Sequence, residues 1–521
     1  MTEARVSRVR AAAAGAAAAA AALGVSELLS GLWGRVPSLV LSVANVFIAE
    51  TPGGIVRWSI DTFGTNQKTV LVTGVVGASL VFGALLGLAS RHNRVRGAVG
   101  FAVFGAVGGW ATGRDTLASN GWGWLTAAVS ASVGIGALVA LLRGFGAVAA
   151  GSPADAASVD RIGAVDRRRF LVASGAIALL GAASGEIGRR LRQARNVEAA
   201  RDRVAASLGD GPPPTLPASI ESFDSQVAGL APLVTPNSDF YRIDTQILVP
   251  QVEPAGWSLR ITGMVDRDLE LSFDDLIAID RITEYVTLSC VSNEVGGDLV
   301  GNALWSGVAL TDLLDLAGSS PDATQIVGRA VDGWTAGFPT DVIADGRPAM
   351  VAVTMNGEPL PVNHGFPARL IIPGLYGYVS ATKWLTEIEL TTWEAFDGYW
   401  IPRGWAKEGP IKTQSRIDVP RPGTALPAGP TAVAGVAWAP TRSIRRVEVR
   451  VNDGPWQPAP LSGELSDNTW VQWLYTWDAT PGSHRLAVRA IDGDGDTQTA
   501  EVAPPAPSGA TGHHTIAVEI R

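Results

Sequence analysis

The sequence predicts an N-terminal α-helical membrane domain, an α+β domain and a C-terminal all-β immunoglobulin-like sandwich, in that order. Three observations predict it. Residues 1–190 are mostly apolar helix formers with few acids. Residues 215–412 interleave short strand-like and helix-like runs, and 413–521 alternate apolar and polar positions between turn signals. A chain of 521 residues has room for several domains. Only 17% of residues are charged, the net charge is -8, and no Lys/Arg run interleaved with aromatics is present. That pattern argues against a nucleic-acid partner.

A helix that spans a bilayer needs about 20 apolar residues. Five stretches qualify, at 11–31, 69–90, 97–113, 123–142 and 170–188. The third is short, and the first is nearly all alanine. The apolar stretch 37–49 is too short to span and reads as a surface or re-entrant helix. Arginines set the orientation. Arg5, Arg8 and Arg10 precede the first span; Arg91, Arg94 and Arg96 follow the second; Arg143, Arg161, Arg167, Arg168 and Arg169 follow the fourth. The opposite loops hold only Arg35, Arg57, Lys68 and Arg114. The N-terminus is therefore expected inside and the region after the fifth span outside the cytoplasmic membrane. Arg189, Arg190, Arg192 and Arg195 stand against that assignment, although long domains cross largely regardless of such charges.

Asp166-Arg167-Arg168-Arg169-Phe170-Leu171 leads into the fifth span and resembles a twin-arginine export signal placed internally. A plain arginine anchor is the other reading. None of the five stretches contains a histidine, which excludes a pair of b-type haems held between them. Residues 191–214 read as a charged helical stalk ending in the linker Gly211-Pro212-Pro213-Pro214.

In the α+β region, 257–261 and 285–288 read as strands, and 273–277 and 310–314 as short helices with polar starts. Farther on, 432–438, 447–451 and 484–490 read as strands. The turns Asn452-Asp453-Gly454 and Asp492-Gly493-Asp494-Gly495 separate strands there.

The chemistry concentrates on the one cysteine, Cys290, which has no internal disulfide partner. It sits at a strand end in Thr287-Leu288-Ser289-Cys290-Val291-Ser292-Asn293, ahead of a Gly-Gly loop. A thiolate there projects at a fixed point, where amides and Asn side chains stabilise it. Soft thiolates suit a soft or high-valent metal. No second cysteine and no paired-histidine motif supports a zinc site. Phosphate-loop, dinucleotide and serine-elbow motifs are absent. A cysteine hydrolase requires a histidine partner, and nothing in the sequence brings His364 to Cys290.

Several ordered segments resemble the cofactor core of the sulfite oxidase family. They are Thr235-Pro236-Asn237 with Phe240-Tyr241-Arg242, Cys290-x-x-Asn293, Gly301-Asn302-x-x-Trp305-x-Gly307-Val308, and Met355-Asn356-Gly357-Glu358-Pro359 with His364-Gly365-Phe366-Pro367-x-Arg369. Pro373-Gly374-Leu375-Tyr376-Gly377 and Lys383-Trp384-Leu385 complete the set. The resemblance implies a sulfite-oxidase-like α+β molybdopterin domain. Its molybdenum would carry one pterin dithiolene and one protein thiolate and cycle between the +6 and +4 states. Cys290 is the implied metal ligand and, with Arg242, the implied catalytic pair. Cofactor contacts are implied for Asn237, Phe240, Tyr241, Arg242, Asn293, His364, Arg369, Ser380 and Lys383. The region after 413 resembles that family's dimerisation domain, with Gly435-Val436-Ala437-Trp438, Trp470 and Trp473 as markers, so a homodimer is expected.

The match departs where substrate is expected. Arg242-Ile243-Asp244 replaces Arg-Asn-His, Gly377-Tyr378-Val379-Ser380 lacks the family's arginine, and Asp332-Gly333-Trp334-Thr335 lacks its tyrosine. The expected function is transfer of an oxygen atom and two electrons to or from a small oxyanion or sulfur compound. Electrons would pass through a separate redox partner. A sulfoxide-type reductase and a non-catalytic binding module are the alternatives. Trp305, Trp384 and Trp438 read as core packing, and His513 and His514 as surface or turn residues. Tyr399, Trp400, Arg403, Trp405 and Lys412 read as either structural or lining the pocket mouth.

Overall fold

A computed structural model of the chain describes residues 7–34, 36–63, 66–91, 93–115, 120–144, 156–194, 196–209 and 216–521. Arg5, Arg35, Arg195 and the linker Gly211-Pro212-Pro213-Pro214 lie outside the described residues. Two compact units result, Met1–Asn196 with Thr245–Leu248, and Val197–Asp244 with Val249–Arg521.

The first unit is helical: α1 (Arg8–Leu32), α2 (Leu39–Glu50), α3 (Gly53–Phe63), α4 (Gln67–Ala89), α5 (Arg94–Thr112), α6 (Asn120–Gly144) and α7 (Ala156–Ala194). Among the described residues four helices are long and apolar enough to cross a membrane, beginning at Arg8, Gln67, Gly121 and Arg168. The stretch expected as the third span does form a helix, α5, but falls outside those four. Glycines and the arginines at its start dilute its apolar character. The short stretch near 37–49 forms α2.

Alanine and glycine let α1 pack at backbone distance. A Cβ added at Gly15 would lie 2.0 Å from the Gly83 carbonyl oxygen of α4, and one at Gly24 would lie 2.0 Å from that of Gly181 on α7. Small residues at such crossings are how helices associate where no hydrophobic effect separates them from their solvent. Phe101, Leu138 and Phe170 are buried, but many large apolar side chains point outward: Phe82 and Leu85 on α4, Val99 and Val103 on α5, and Leu179 and Leu180 on α7 are exposed. Exposed apolar side chains in this number mark a membrane or partner surface.

The second unit opens with α8 (Glu198–Leu208). Its elements then run β1 (Ser258–Gly263), β2 (Leu269–Ser272), α9 (Phe273–Ala278), β3 (Arg281–Ser289), β4 (Val300–Ala309), α10 (Leu310–Ala317), β5 (Gln325–Ala330), β6 (Thr335–Pro339), β7 (Met350–Met355), β8 (Glu358–Pro359), β9 (Arg369–Ile371), α11 (Gly377–Ser380) and β10 (Leu385–Thr391). One sheet has the order β2-β1-β10-β5-β6; the other is β3-β4-β7-β8, with β9 beside β7. The expected short helices both form, and α9 starts on a reciprocal cap between Ser272 and Asp275.

Two further sheets follow. They are β11 (Gln414–Val419), β13 (Gly429–Trp438) and β16 (Val471–Ala479) in one, and β12 (Ala425–Leu426), β18 (His514–Ile520), β17 (Gly482–Asp492), β14 (Ile444–Val451) and β15 (Gln457–Ala459) in the other. Val433, Trp473, Val447, Leu486 and Ile516, drawn from both, share a core. No break in packing separates these sheets from the region before 413. Trp438 and Trp470 belong to the same core as Trp305 and Phe338. Trp470 Nε1 donates to the Leu233 carbonyl at 2.8 Å, and Thr287 N donates to Asn468 O at 2.9 Å.

Replacing Gly24 by Leu is expected to destabilise the helical unit by about 1–3 kcal/mol or more, because the obstruction is backbone and cannot swing away. Gly74→Leu, with nothing within 4 Å of the added Cβ, is expected to stay within about 0.5 kcal/mol. Thermal unfolding in detergent compares the two; equal stability would refute the close crossing.

Candidate active site

Cys290 follows directly on β3, at the neck of the β3–β4 hairpin loop. Its N–H donates to Leu299 O at 2.9 Å, which closes the neck. Asn293 N donates to Cys290 O at 3.0 Å, and Asn293 Oδ1 accepts from Leu299 N at 2.9 Å. The Cys-x-x-Asn spacing is thus a turn with a side-chain staple. It fixes where the sulfur points. Cys290 Sγ accepts from Ser292 N at 3.4 Å. Burial pushes the thiol above its ordinary range, while the Ser292 amide and the charge of Lys383 pull the other way.

The segment 235–242 has no regular structure, so side chains must hold it. Thr235 N donates to Asn302 O at 2.8 Å, Asn356 Nδ2 donates to Thr235 O and to Asn237 Oδ1, each at 2.9 Å, and Asn237 Nδ2 donates to Met355 O at 3.2 Å. This lattice seats Phe240 on Gly301, where a Cβ would lie 2.8 Å from the ring. Phe240 stacks on Tyr241 and meets Trp305 and His364 edge to face. Tyr241 feels both Cys290 and Arg369, and burial holds its hydroxyl protonated. That hydroxyl makes no hydrogen bond among the described residues.

A third piece arrives on the turn at Gly365. Its φ of +114° is a conformation that favours glycine. A Cβ there would lie 3.1 Å from Arg369 Cβ and from Lys383 Cα, so the turn draws both cations together. Arg369 is 3% exposed, lies 5.1 Å over the Trp305 ring, and donates from Nη1 to His364 O at 3.0 Å. Lys383 Nζ donates to Asn363 O at 3.0 Å and lies 3.6 Å from Asp244. Burial lowers Lys383 to about 7 and His364 to about 3, the latter helped by Lys383 and Arg369. His364 is therefore neutral at physiological pH, and Arg369, lowered only to about 10, stays charged.

The structure thus brings together Tyr241, Arg242, Cys290, His364, Arg369 and Lys383, with Phe240 as their floor. Asn237 and Asn293 sit behind them with their side-chain oxygens committed to the scaffold. Ser380, fully buried, donates to the Tyr376 carbonyl at 3.1 Å. Arg242 is held by Asp244 at 2.8 Å. Asp244 and Tyr376 were not singled out as site residues by the sequence. Tyr376, electrostatically coupled to Cys290 and raised by burial to about 12, lies more than 80 positions from it. His514 corrects the surface reading: its ring is half-buried against Gly296. In the aromatic–basic segment Arg403 stacks on Tyr399 at 3.8 Å, and Lys412 Nζ donates to Gly509 O at 2.8 Å.

Residues 246–400 match the family described as the oxidoreductase molybdopterin binding domain. The chain is 28% identical to human mitochondrial sulfite oxidase over 320 residues, which covers 52% of this chain and 58% of that one. It is 35% identical over 153 residues to the uncharacterized oxidoreductase YuiH of Bacillus subtilis, covering 29% of this chain and 74% of that one. Among solved structures, the sulfane dehydrogenase SoxCD of Paracoccus pantotrophus aligns with a TM-score of 0.48 and 24% identity, over 55% of this chain and 81% of that one.

The residues present fit an anionic, phosphate-bearing pterin. Among the described residues Arg369 has no carboxylate partner, and two buried atoms in the cluster, His364 Nε2 and Arg369 Nε, have no hydrogen-bond partner at all. A buried cation with a spare donor is expensive unless an anion meets it. Replacing Arg369 by Met is expected to weaken cofactor retention about 10–100-fold, the worth of a charged hydrogen bond. The cofactor-free chain is expected to be no less stable, since an uncompensated charge leaves the interior. Metal content per chain and thermal unfolding read the two effects; full retention of cofactor would contradict the assignment.

Proposed function

The chain belongs to the sulfite oxidase family of molybdopterin-binding oxidoreductases, and from that we propose that it is a membrane-anchored enzyme that transfers an oxygen atom and two electrons to or from a small substrate outside the cytoplasmic membrane. The observation that carries this reading is the single buried thiol beside a cationic cluster short of anions. When bound, the molybdenum–pterin group supplies the two-electron couple. Cys290 binds the metal through its thiolate. Arg369 and His364 hold the pterin phosphate, with Phe240 packed beneath them. Tyr241 keeps a proton on its hydroxyl beside Cys290 and offers it to an oxygen there. A chain with one cysteine and no histidine in its apolar stretches passes electrons to a separate partner.

We read the helical unit as the membrane domain and the last two sheets as an immunoglobulin-like sandwich. Sidedness follows the number of crossings. If α5 crosses, five spans carry the second unit to the face opposite the N-terminus. The arginines that opposed this orientation are largely answered within the unit: Arg189 and Arg190 pair with Glu186, and Arg192 with Glu27. A reporter that is active only outside the cytoplasm, fused after Arg521, is expected to work. Activity from a cytoplasm-only reporter at that site would reverse the topology.

A specific observation favours a neutral oxygen donor, such as a sulfoxide, over sulfite as substrate. Asp244 is almost fully buried and pairs with both Arg242 and Lys383. Its charge offsets one of the two cations, Arg242 and Lys383, that an oxyanion would meet. Molybdenum-loaded protein is therefore expected to reduce a sulfoxide with a reduced dye faster than it oxidises sulfite with an oxidised one. Asp244→Asn is expected to lower KM for sulfite about tenfold, the effect of one nearby opposite charge, with little change for the sulfoxide. An unchanged sulfite KM would remove Asp244 from substrate choice, and no activity in either direction from fully loaded protein would leave a binding module.

A further inference from the structure

The loop 290–299 is bonded almost wholly to itself on the side of the thiol. Its outer side is gripped by the sheets that follow residue 413. Arg416 on β11, 9% exposed, donates from Nη1 to Gly297 O at 2.8 Å. Among the described residues it is the only one beyond 289–299 that donates a hydrogen bond to this loop. Its Nε is fixed by Asp418 at 2.5 Å, and Asp418 Oδ2 accepts from Ala231 N at 3.1 Å. The guanidinium is therefore aimed from behind before it meets the loop. Beside it, Gly296 has φ +80° and lies flat on His514, where a Cβ would be 2.3 Å from Nε2. His514 Nδ1 accepts from Ile417 N at 2.9 Å, so the ring is itself anchored to β11. Two neighbouring loop residues, Gly296 and Gly297, six and seven positions beyond Cys290, thus have their place set by one strand and one ring.

We infer that Arg416 and His514 are positioning residues for Cys290: the C-terminal sheets hold the hairpin loop closed and so set the orientation and accessibility of its thiolate. The inference rests on the reading of Cys290 as metal ligand for its catalytic meaning, but not for its geometry. A hydrogen bond from a charged donor to a backbone carbonyl is worth enough to shift loop opening by about tenfold or more when removed.

The test uses the full chain in detergent, prepared without molybdopterin so that the thiol is free. Because Cys290 is the only cysteine, all modification by N-ethylmaleimide reports on it. Arg416→Ala is expected to speed modification about tenfold, Arg416→Lys to restore part of the protection, and His514→Ala to act in the same direction as Arg416→Ala. In loaded protein, Arg416→Ala is expected to shift the molybdenum(V) paramagnetic resonance signal, which a purely structural contact far from the metal would leave alone. Folded Arg416→Ala and His514→Ala proteins that modify Cys290 at the wild-type rate would overturn the inference; if Arg416→Ala does not fold, Arg416→Lys and His514→Ala decide it. Failure of the ligand reading is separable: it would show as an unaltered metal signal in Cys290→Ser, whatever the thiol rates.

Discussion

Positive charge brought into the interior beside one buried sulfur is the constraint on which the second unit depends. Arg369 has left water almost completely and meets no carboxylate among the described residues. Burying such an ion without a counter-charge costs several kcal/mol even after relaxation. What holds it is modest by comparison, a carbonyl of His364 and the face of Trp305. Cys290 faces the opposite difficulty, since burial disfavours its thiolate, and the Ser292 amide and hydroxyl and the charge of Lys383 oppose that. A dianionic pterin phosphate at Arg369 and a metal cation at Cys290 would resolve both together. Each would supply the charge that the other half of the site lacks.

The fold can be understood as the means of holding that arrangement against its own cost. The β3–β4 hairpin supplies a rigid neck for the sulfur. Asn302, Asn356 and Asn237 tie an irregular segment across β4 so that Tyr241 overlooks the same point. Gly365 lets a tight turn place Arg369 against Lys383. Fully satisfied polar lattices of this kind rigidify their surroundings more than pairwise counts suggest. The last two sheets join the effort through Trp470 and Arg416, which is why no packing boundary separates them from the domain that bears the site.

Much of this was legible in the sequence because it is local. Apolar length marks the membrane-compatible helices, and α5 is the marginal one because glycine and arginine dilute it. The strands of the α+β region follow from period, and the short helices α9 and α10 from polar residues near their starts, although only α9 carries a side-chain cap. Cys-x-x-Asn is readable as a motif, although its meaning as a stapled turn emerges only from the loop geometry. What the sequence hides is long-range. Asp244 reaches Lys383 across 139 positions, Arg416 meets Gly297 across 119, and His514 meets Gly296 across more than 200. Periodicity carries no information over such separations. Across the expected boundary near 412 the packing is continuous, with Trp438 and Trp470 in the core of Trp305 and Phe338.

X-ray absorption at the molybdenum edge, on loaded wild-type protein and on Cys290→Ser, reads directly whether Cys290 binds the metal. The substitution is expected to remove one sulfur from the metal's shell and leave the pterin sulfurs in place. An identical sulfur shell in the two proteins would show that Cys290 does not bind the metal and that its buried thiol meets no metal cation.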